Sequence, residues 1–165
     1  MKVHILGSAA GGGFPQWNCN CPNCSAWRQG SPRLRARTQS SITVSADGQN
    51  WVLFNASPDI LQQIREFPAL QPARALRDTA IRAVFLIDAQ IDHSTGLYML
   101  REHRQPLQLW CHALVREDLS TGNPLLKVLA HYSGVQWHDV PLQGSGFTMQ
   151  GVPGLHFKAL PLISN

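Results

Sequence analysis

Nothing in the 165-residue chain approaches the roughly 20-residue apolar run that a membrane-spanning helix needs, so no span is expected. A cationic, apolar leader is missing too, because Gly7 to Gly13 interrupts the first apolar segment, and the expected location is cytoplasmic. Cysteine is scarce, with four in all and no even set spaced along the chain, which argues against a disulfide framework. Gly7-Ser8-Ala9-Ala10-Gly11-Gly12-Gly13 does not satisfy GxGxxG, and no helix is indicated before Pro15, which argues against a dinucleotide-binding turn. Those glycines are instead expected to let the backbone turn tightly and pass close to another loop or ligand. Ser40 and Ser41 lack a histidine and aspartate at interpretable spacing, which leaves a serine nucleophile unsupported. Repeats, low-complexity segments and nucleic-acid-binding motifs are absent, and no nucleic-acid partner is expected. What remains is a chain of 44% hydrophobic residues and mean hydropathy −0.14, long enough for one domain with a real core over residues 1–165.

The densest chemistry lies in Ile87-Asp88-Ala89-Gln90-Ile91-Asp92-His93-Ser94-Thr95-Gly96, after an apolar run that suits a buried strand. If the strand continues through it, Asp88 and Gln90 share a face. Asp92 and His93 then stand where a helix begins. An acidic residue before a helix is often only a cap, which would account for Asp92 but not for Asp88. Carboxylates at the edge of a core are costly unless something satisfies them, so Asp88, Gln90, Asp92 and His93 are the candidate catalytic residues. Asp88, Asp92 and His93 are the candidate ligands of an active-site metal.

A second cluster is Cys19-Asn20-Cys21-Pro22-Asn23-Cys24, with three of the four thiols in six residues. Cys19, Cys21 and Cys24 on a tight loop suit a closed structural zinc site, the alternatives being a redox cluster or buried free thiols. A fourth ligand is required, and Cys111 and His112 are the local candidates. The basic charge is also uneven. Nine Lys or Arg stand against four Asp or Glu up to Arg82, and five against six from Ala83 onward. The densest run is Arg28, Arg33, Arg35 and Arg37, read either as a solvated loop or as a grip for a carboxylate-rich small molecule.

Strands are expected at Lys2–Leu6, Ser40–Ser45, Trp51–Asn55, Arg82–Ile87 and Gln108–Cys111, with a hairpin at Asp47-Gly48. Weaker ones are expected at Gln136–Val140, Gly146–Gln150 and His156–Leu160. Helices are expected from a Ser57-Pro58-Asp59 cap to about Glu66, and at Ser94–Arg104, Ala113–Leu119 and Pro124–Tyr132. Asp59 is read as a capping residue.

The phrase FLIDAQIDHSTGL, Phe85 to Leu97, resembles the HxHxDH motif of the metallo-β-lactamase superfamily. Asp92 and His93 match its Asp-His pair, while Asp88 and Gln90 replace its first two histidines. With KVHILGSAAGGGFPQWNCNCPNC and LFNASPDI, the DAQIDH form is similar to the coenzyme PQQ synthesis protein B family. The resemblance implies an α/β, αββα sandwich of metallo-β-lactamase type, present as roughly its N-terminal half. The chain stops at Ala159–Asn165 without the later histidine and aspartate motifs, so a truncation with missing ligands is expected, as is an exposed sheet face. Likeness to superfamily members carrying CxCxxC places the fourth zinc ligand at a late histidine.

Losing two imidazoles moves the donor set away from hydrolytic zinc and toward iron(II), manganese or magnesium. The resemblance implies PQQ biosynthesis, with iron(II) or another divalent metal supporting hydroxylation of the tyrosine ring of a glutamate-tyrosine precursor. PQQ or a precursor is the implied carboxylate-rich partner. A non-catalytic PQQ carrier, or a metal-dependent hydrolase, are the competing classes, and a homodimer is left open.

Overall fold

The computed structural model describes residues 1–142 and 144–162; Gln143 and the last three residues of the Ala159–Asn165 stretch lie outside it. Its centre is a six-stranded sheet whose strands lie side by side in chain order: β1 (Lys2–Gly7), β2 (Ser41–Ser45), β3 (Trp51–Phe54), β4 (Ile81–Phe85), β5 (Leu107–Cys111) and β6 (Val135–Asp139). β1, β2 and β3 pair antiparallel, and β3 through β6 pair parallel. The parallel half needs crossovers, and each carries helix: α2 (Ile60–Glu66), then α3 (Ile91–Ser94), then α4 (Ala113–Asp118) with α5 (Leu125–Leu129).

Period-two alternation divides the sheet into two faces. Leu53, Val84, Leu107, Leu109 and Cys111 meet Ile60, Leu97, Val115, Leu119, Leu125 and Leu129 in the larger core. Each fully buried leucine there contributes about 1.5–3 kcal/mol relative to exposure. On β2 the same face carries Ser41 and Thr43, whose hydroxyls donate to the Asn55 and Val52 carbonyls at 2.8 Å, so burial leaves neither unpaired. The opposite face holds Val44, Val52 and Ala83 under Met149, Val152 and Leu155. Residues 147–157 therefore cover part of the face expected to be bare, whereas Val3 and Ile5 of β1 are exposed.

The expected hairpin forms. Asp47 Oδ1 accepts the Gln49 and Asn50 amides at 2.8 and 2.9 Å, and these backbone donors hold its carboxyl far below the usual carboxylate range. Gly48 adopts the positive φ of 82° that the turn requires.

Four expectations need correction. β4 ends at Phe85 rather than Ile87, because Asn55, at φ 59°, turns the neighbouring strand away and offers its side-chain oxygen to the Ile87 amide at 3.3 Å. The Ser94–Arg104 helix is a short α3 followed by a 3-10 turn, Thr95–Leu100. There the Ser94 hydroxyl bonds back to the Gln90 carbonyl at 2.8 Å, and the Gly96 amide donates outside the helix, to Ala56. The cysteine segment, read as a loop, runs into an unforeseen helix α1 (Pro22–Arg28), with Cys21 at its N-cap and Pro22 in its first turn. Among the described residues, Gly146–Gln150 and His156–Leu160 meet only through an isolated bridge, Phe147 to Phe157. Gly151, Pro153 and Gly154 break the chain between them, with both glycines at positive φ.

Candidate metal centres

Asp88, Gln90, Asp92 and His93 sit at the carboxyl end of β4, in the turn and short helix that follow. Because β4 has already ended, the period-two argument for Asp88 and Gln90 does not apply; a local network orders them instead. Asp88 Oδ1 accepts the Gln90 amide at 2.9 Å and lies 2.7 Å from His93 Nδ1. A carboxylate accepts only, so Nδ1 carries a proton, and in the neutral ring the lone pair then lies on Nε2. That Nε2 faces Asp92 Oδ2 at 3.8 Å, with the two side chains 14% and 21% exposed. The pair is thus close and partly accessible, one nitrogen and one oxygen that could both serve as donors. Asp88 lies on the far nitrogen, where a carboxylate orients a ligating imidazole. Gln90 donates through Nε2 to Asp88 Oδ2 at 3.3 Å, extending the same support.

Two backbone contacts hold this turn against the end of β3. The Ala56 amide donates to the His93 carbonyl at 2.7 Å, and the Gly96 amide to the Ala56 carbonyl at 2.8 Å. A Cβ on Gly96 would lie 2.2 Å from the Ser57 carbonyl oxygen, so only glycine permits that approach.

The glycine-rich loop reaches the same place, as its composition led us to expect. A Cβ on Gly11 would sit 3.2 Å from Asp92 Oδ2. Its position is set from behind: the Gly12 amide donates to Gln39 Oε1 at 3.1 Å, while Asp59 Oδ2 accepts the Gln39 amide at 2.9 Å and its Nε2 at 3.1 Å. Asp59 is the N-cap of α2 but makes no side-chain cap bond, so the capping reading of this residue is replaced by a role bracing Gln39. Gln63, fully buried in α2, donates to the Gln39 carbonyl at 2.9 Å and accepts from Ser57 at 3.2 Å. Gln39 and Gln63 had no signal in the sequence, since a lone glutamine carries none. Asn55 had a weak one, being among the few residue types that tolerate a left-handed backbone.

Cys19, Cys21 and Cys24 converge, with their three sulfurs within 4.8 Å of one another. Zn–S bonds of about 2.3 Å in a tetrahedron place sulfurs roughly 3.8 Å apart, so the donor set fits that ion. Backbone donation from Cys24, then the Cys19 thiol, brings the exposed Cys21 thiol down to about 7, toward the thiolate that binds metal. Arg28, on the last turn of α1, donates to the Cys19 carbonyl at 2.6 Å and to that of Gln16, tying the loop to its helix. Among the described residues neither Cys111 nor His112 joins this group. Cys111 is fully buried at the end of β5, where desolvation pushes its thiol up to about 11, and His112 caps α4 by accepting the Leu114 amide at 3.3 Å. Both are therefore withdrawn as the fourth ligand.

Arg33, Arg35 and Arg37 take a different course from Arg28. The Arg37–Gln39 segment threads the glycine loop: Phe14 and Arg37 exchange backbone bonds at 2.9 and 2.8 Å, and the Ser8 and Ala9 amides donate to Thr38. A cavity of about 430 Å³ opens between Arg33–Arg37, the glycine loop and Asn23.

Residues 50–165 match the family model described as the beta-lactamase superfamily domain. The coenzyme PQQ synthesis protein B of Azoarcus sp. (strain BH72) is 73% identical over 165 residues, covering 100% of this chain and 54% of that protein. The structure of Zn(2+)-bound PqqB from Methylobacterium extorquens is 44% identical and aligns with a TM-score of 0.87, covering 98% of this chain and 56% of that one. A diphosphatase of the PhnP family, at 22% identity and a TM-score of 0.65, shares the fold. The chain spans about half the length of the curated relatives it matches.

Proposed function

The chain belongs to the beta-lactamase superfamily, and on that premise we propose that it serves PQQ biosynthesis as a metal-dependent hydroxylase of the tyrosine ring in a glutamate-tyrosine precursor. Similarity to coenzyme PQQ synthesis protein B supports the pathway. The observation that carries the chemistry is the 2.7 Å contact of Asp88 with His93 Nδ1. Where the superfamily motif has a histidine ligand, this chain has a carboxylate engaged with the back of His93. The segment therefore offers donors for one ion, not for the two of hydrolytic dizinc sites.

In this reading Cys19, Cys21 and Cys24 hold zinc, and Asp92 and His93 contribute to a site for iron(II). Bound iron(II) would supply the redox chemistry with O2 that ring hydroxylation needs, which zinc does not. Asp88 fixes the His93 ring and keeps the proton on Nδ1, so that Nε2 stays available. Gln90 holds Asp88 in turn. The absence of a side chain at Gly11 lets the glycine loop lie against Asp92. The zinc loop takes no part in bond making; it shapes one side of the neighbouring cavity through Asn23.

The test is anaerobic reconstitution of the protein expressed from its complete gene with iron(II), followed by O2, a reductant and the glutamate-tyrosine precursor. A product heavier by one oxygen atom supports the proposal. Tight PQQ binding without turnover would assign a carrier, and cleavage of the precursor without O2 would assign a hydrolase; either result overturns it.

A further inference from the structure

We infer that the cavity between the glycine-rich loop and the Arg33–Arg37 segment is a subsite for a small organic carboxylate, with Asn23 of the cysteine loop as part of its wall. The inference rests on the functional reading above and names the residues that would receive the substrate.

Three observations converge on it. Arg33, Arg35 and Arg37 all line the cavity, and no acidic side chain does. Arg33 lies in a turn and Arg35 and Arg37 follow it toward the bridge with Phe14, so one side of the cavity collects three arginines. Among the described residues Arg33 and Arg35 make neither an ion pair nor a side-chain hydrogen bond, and Arg37 donates only to the Ser8 hydroxyl at 3.0 Å. Uncompensated arginines around a concavity of about 430 Å³ attract an anion, and their planar forks match a carboxylate bidentately. Phe14 adds an apolar wall, which fits an organic acid better than a bare inorganic anion.

The location gives the subsite its purpose. Ala9, Ala10 and Gly13 face the cavity, while Gly11 of the same loop lies against Asp92. One short loop therefore separates the anion site from the Asp92–His93 pair. A carboxylate held on the arginines would sit across that loop from the candidate metal centre. Asn23, between Cys21 and Cys24, links the wall to the cysteine cluster, so a bound metal there also sets the shape of the cavity.

Calorimetric titration of the protein expressed from its complete gene, with citrate, PQQ, acetate and inorganic phosphate as probes, tests this. Citrate and PQQ should bind more tightly than acetate or phosphate, with affinity falling as salt rises. Arg33→Ala and Arg35→Ala should each weaken citrate about tenfold, and Arg35→Lys by less, because charge survives without the fork. Arg77→Ala, which removes the same charge outside the cavity, should leave binding unchanged. Cys21→Ser should weaken citrate as well, and ¹⁵N spectra of the arginine Nε groups should shift for Arg33, Arg35 and Arg37 on titration. Citrate affinity unchanged in an Arg33→Ala/Arg35→Ala double variant would overturn the subsite, as would phosphate binding as tightly as citrate. Precursor turnover that survives in that double variant with unchanged KM would remove the subsite and leave the hydroxylase standing. Arginine-dependent citrate binding with no affinity for PQQ or the precursor would do the reverse.

Discussion

Gly96→Ala is the most exacting test of how the turn after β4 is held. The added Cβ would lie 2.2 Å from the Ser57 carbonyl oxygen and 2.7 Å from both the carbonyl carbon and oxygen of Ala56. All three atoms are backbone, so no side chain can swing aside; the 3-10 turn must retreat by about 1 Å to reach even a tight contact. That retreat breaks the 2.8 Å bond from the Gly96 amide to the Ala56 carbonyl. Overpacking of this kind costs about 1–3 kcal/mol, and the lost hydrogen bond adds about 1 kcal/mol. A total of about 2–4 kcal/mol corresponds to a melting point lower by on the order of 10 °C in a chain of this size. Gly122→Ala is the control. Its Cβ would find only the Asp118 carbonyl, at 3.8 Å, and stability should stay within about 0.5 kcal/mol of wild type. Thermal unfolding followed by circular dichroism reads both. Because the same turn carries Asp92 and His93, Gly96→Ala should also lower iron(II) uptake while zinc at the cysteines persists. If the two variants melt together, close approach of the turn to β3 is not what holds the site, and the reasoning fails.

Asp88→Ala removes the partner of His93 Nδ1 and should weaken the active-site metal about 10–100-fold in chelator competition, while Asp88→Asn, which keeps an oxygen acceptor, loses less. An unchanged affinity would deny Asp88 its orienting role. Asp92→Ala should abolish turnover yet retain one zinc per chain by elemental analysis; joint loss of both metals would contradict two separate sites. Arg28→Ala frees the Cys19 and Gln16 carbonyls and should speed zinc release to a chelator roughly tenfold, the order expected for charge-assisted bonds at an exposed site. Arg74 holds the Asp78 carboxyl down at about 2 from its ordinary 3.8. Since the folded value is the lower one, the stability this pair contributes is complete above pH 3.8 and is lost as pH falls toward 2. Carboxyl ¹³C titration should show that midpoint, and Arg74→Ala should return it toward the ordinary value.

The glycine loop, the cysteine cluster, the hairpin at Asp47-Gly48 and the alternation of strand with helix were all legible in the chain, because each is a local matter of turn chemistry or periodicity. The length of β4 was not. It depends on Asn55, some thirty residues earlier, turning aside and taking the Ile87 amide for itself. The helix after His93 was misread for a similar reason: the Gly96 amide has a better acceptor in Ala56 than within its own helix. Gly146–Gln150 and His156–Leu160 carry the apolar content of strands, yet their apolar side chains close over the sheet face and leave its edges unextended.

Residue types and their spacing alone determined the chemistry available here: three thiols in six residues, an Asp-His pair closely preceded by a carboxylate and an amide, and arginines at alternate positions. Only the tertiary structure decided which groups meet. It placed Asp88 behind His93 rather than beside Asp92, gave Asp59 to Gln39 instead of to a helix cap, separated Arg28 from Arg33, Arg35 and Arg37, and kept Cys111 away from the other thiols. Donor identity is a local property of the chain, whereas a ligand set is a matter of angstroms between segments far apart in sequence, and those distances are set by the packing of the whole sheet.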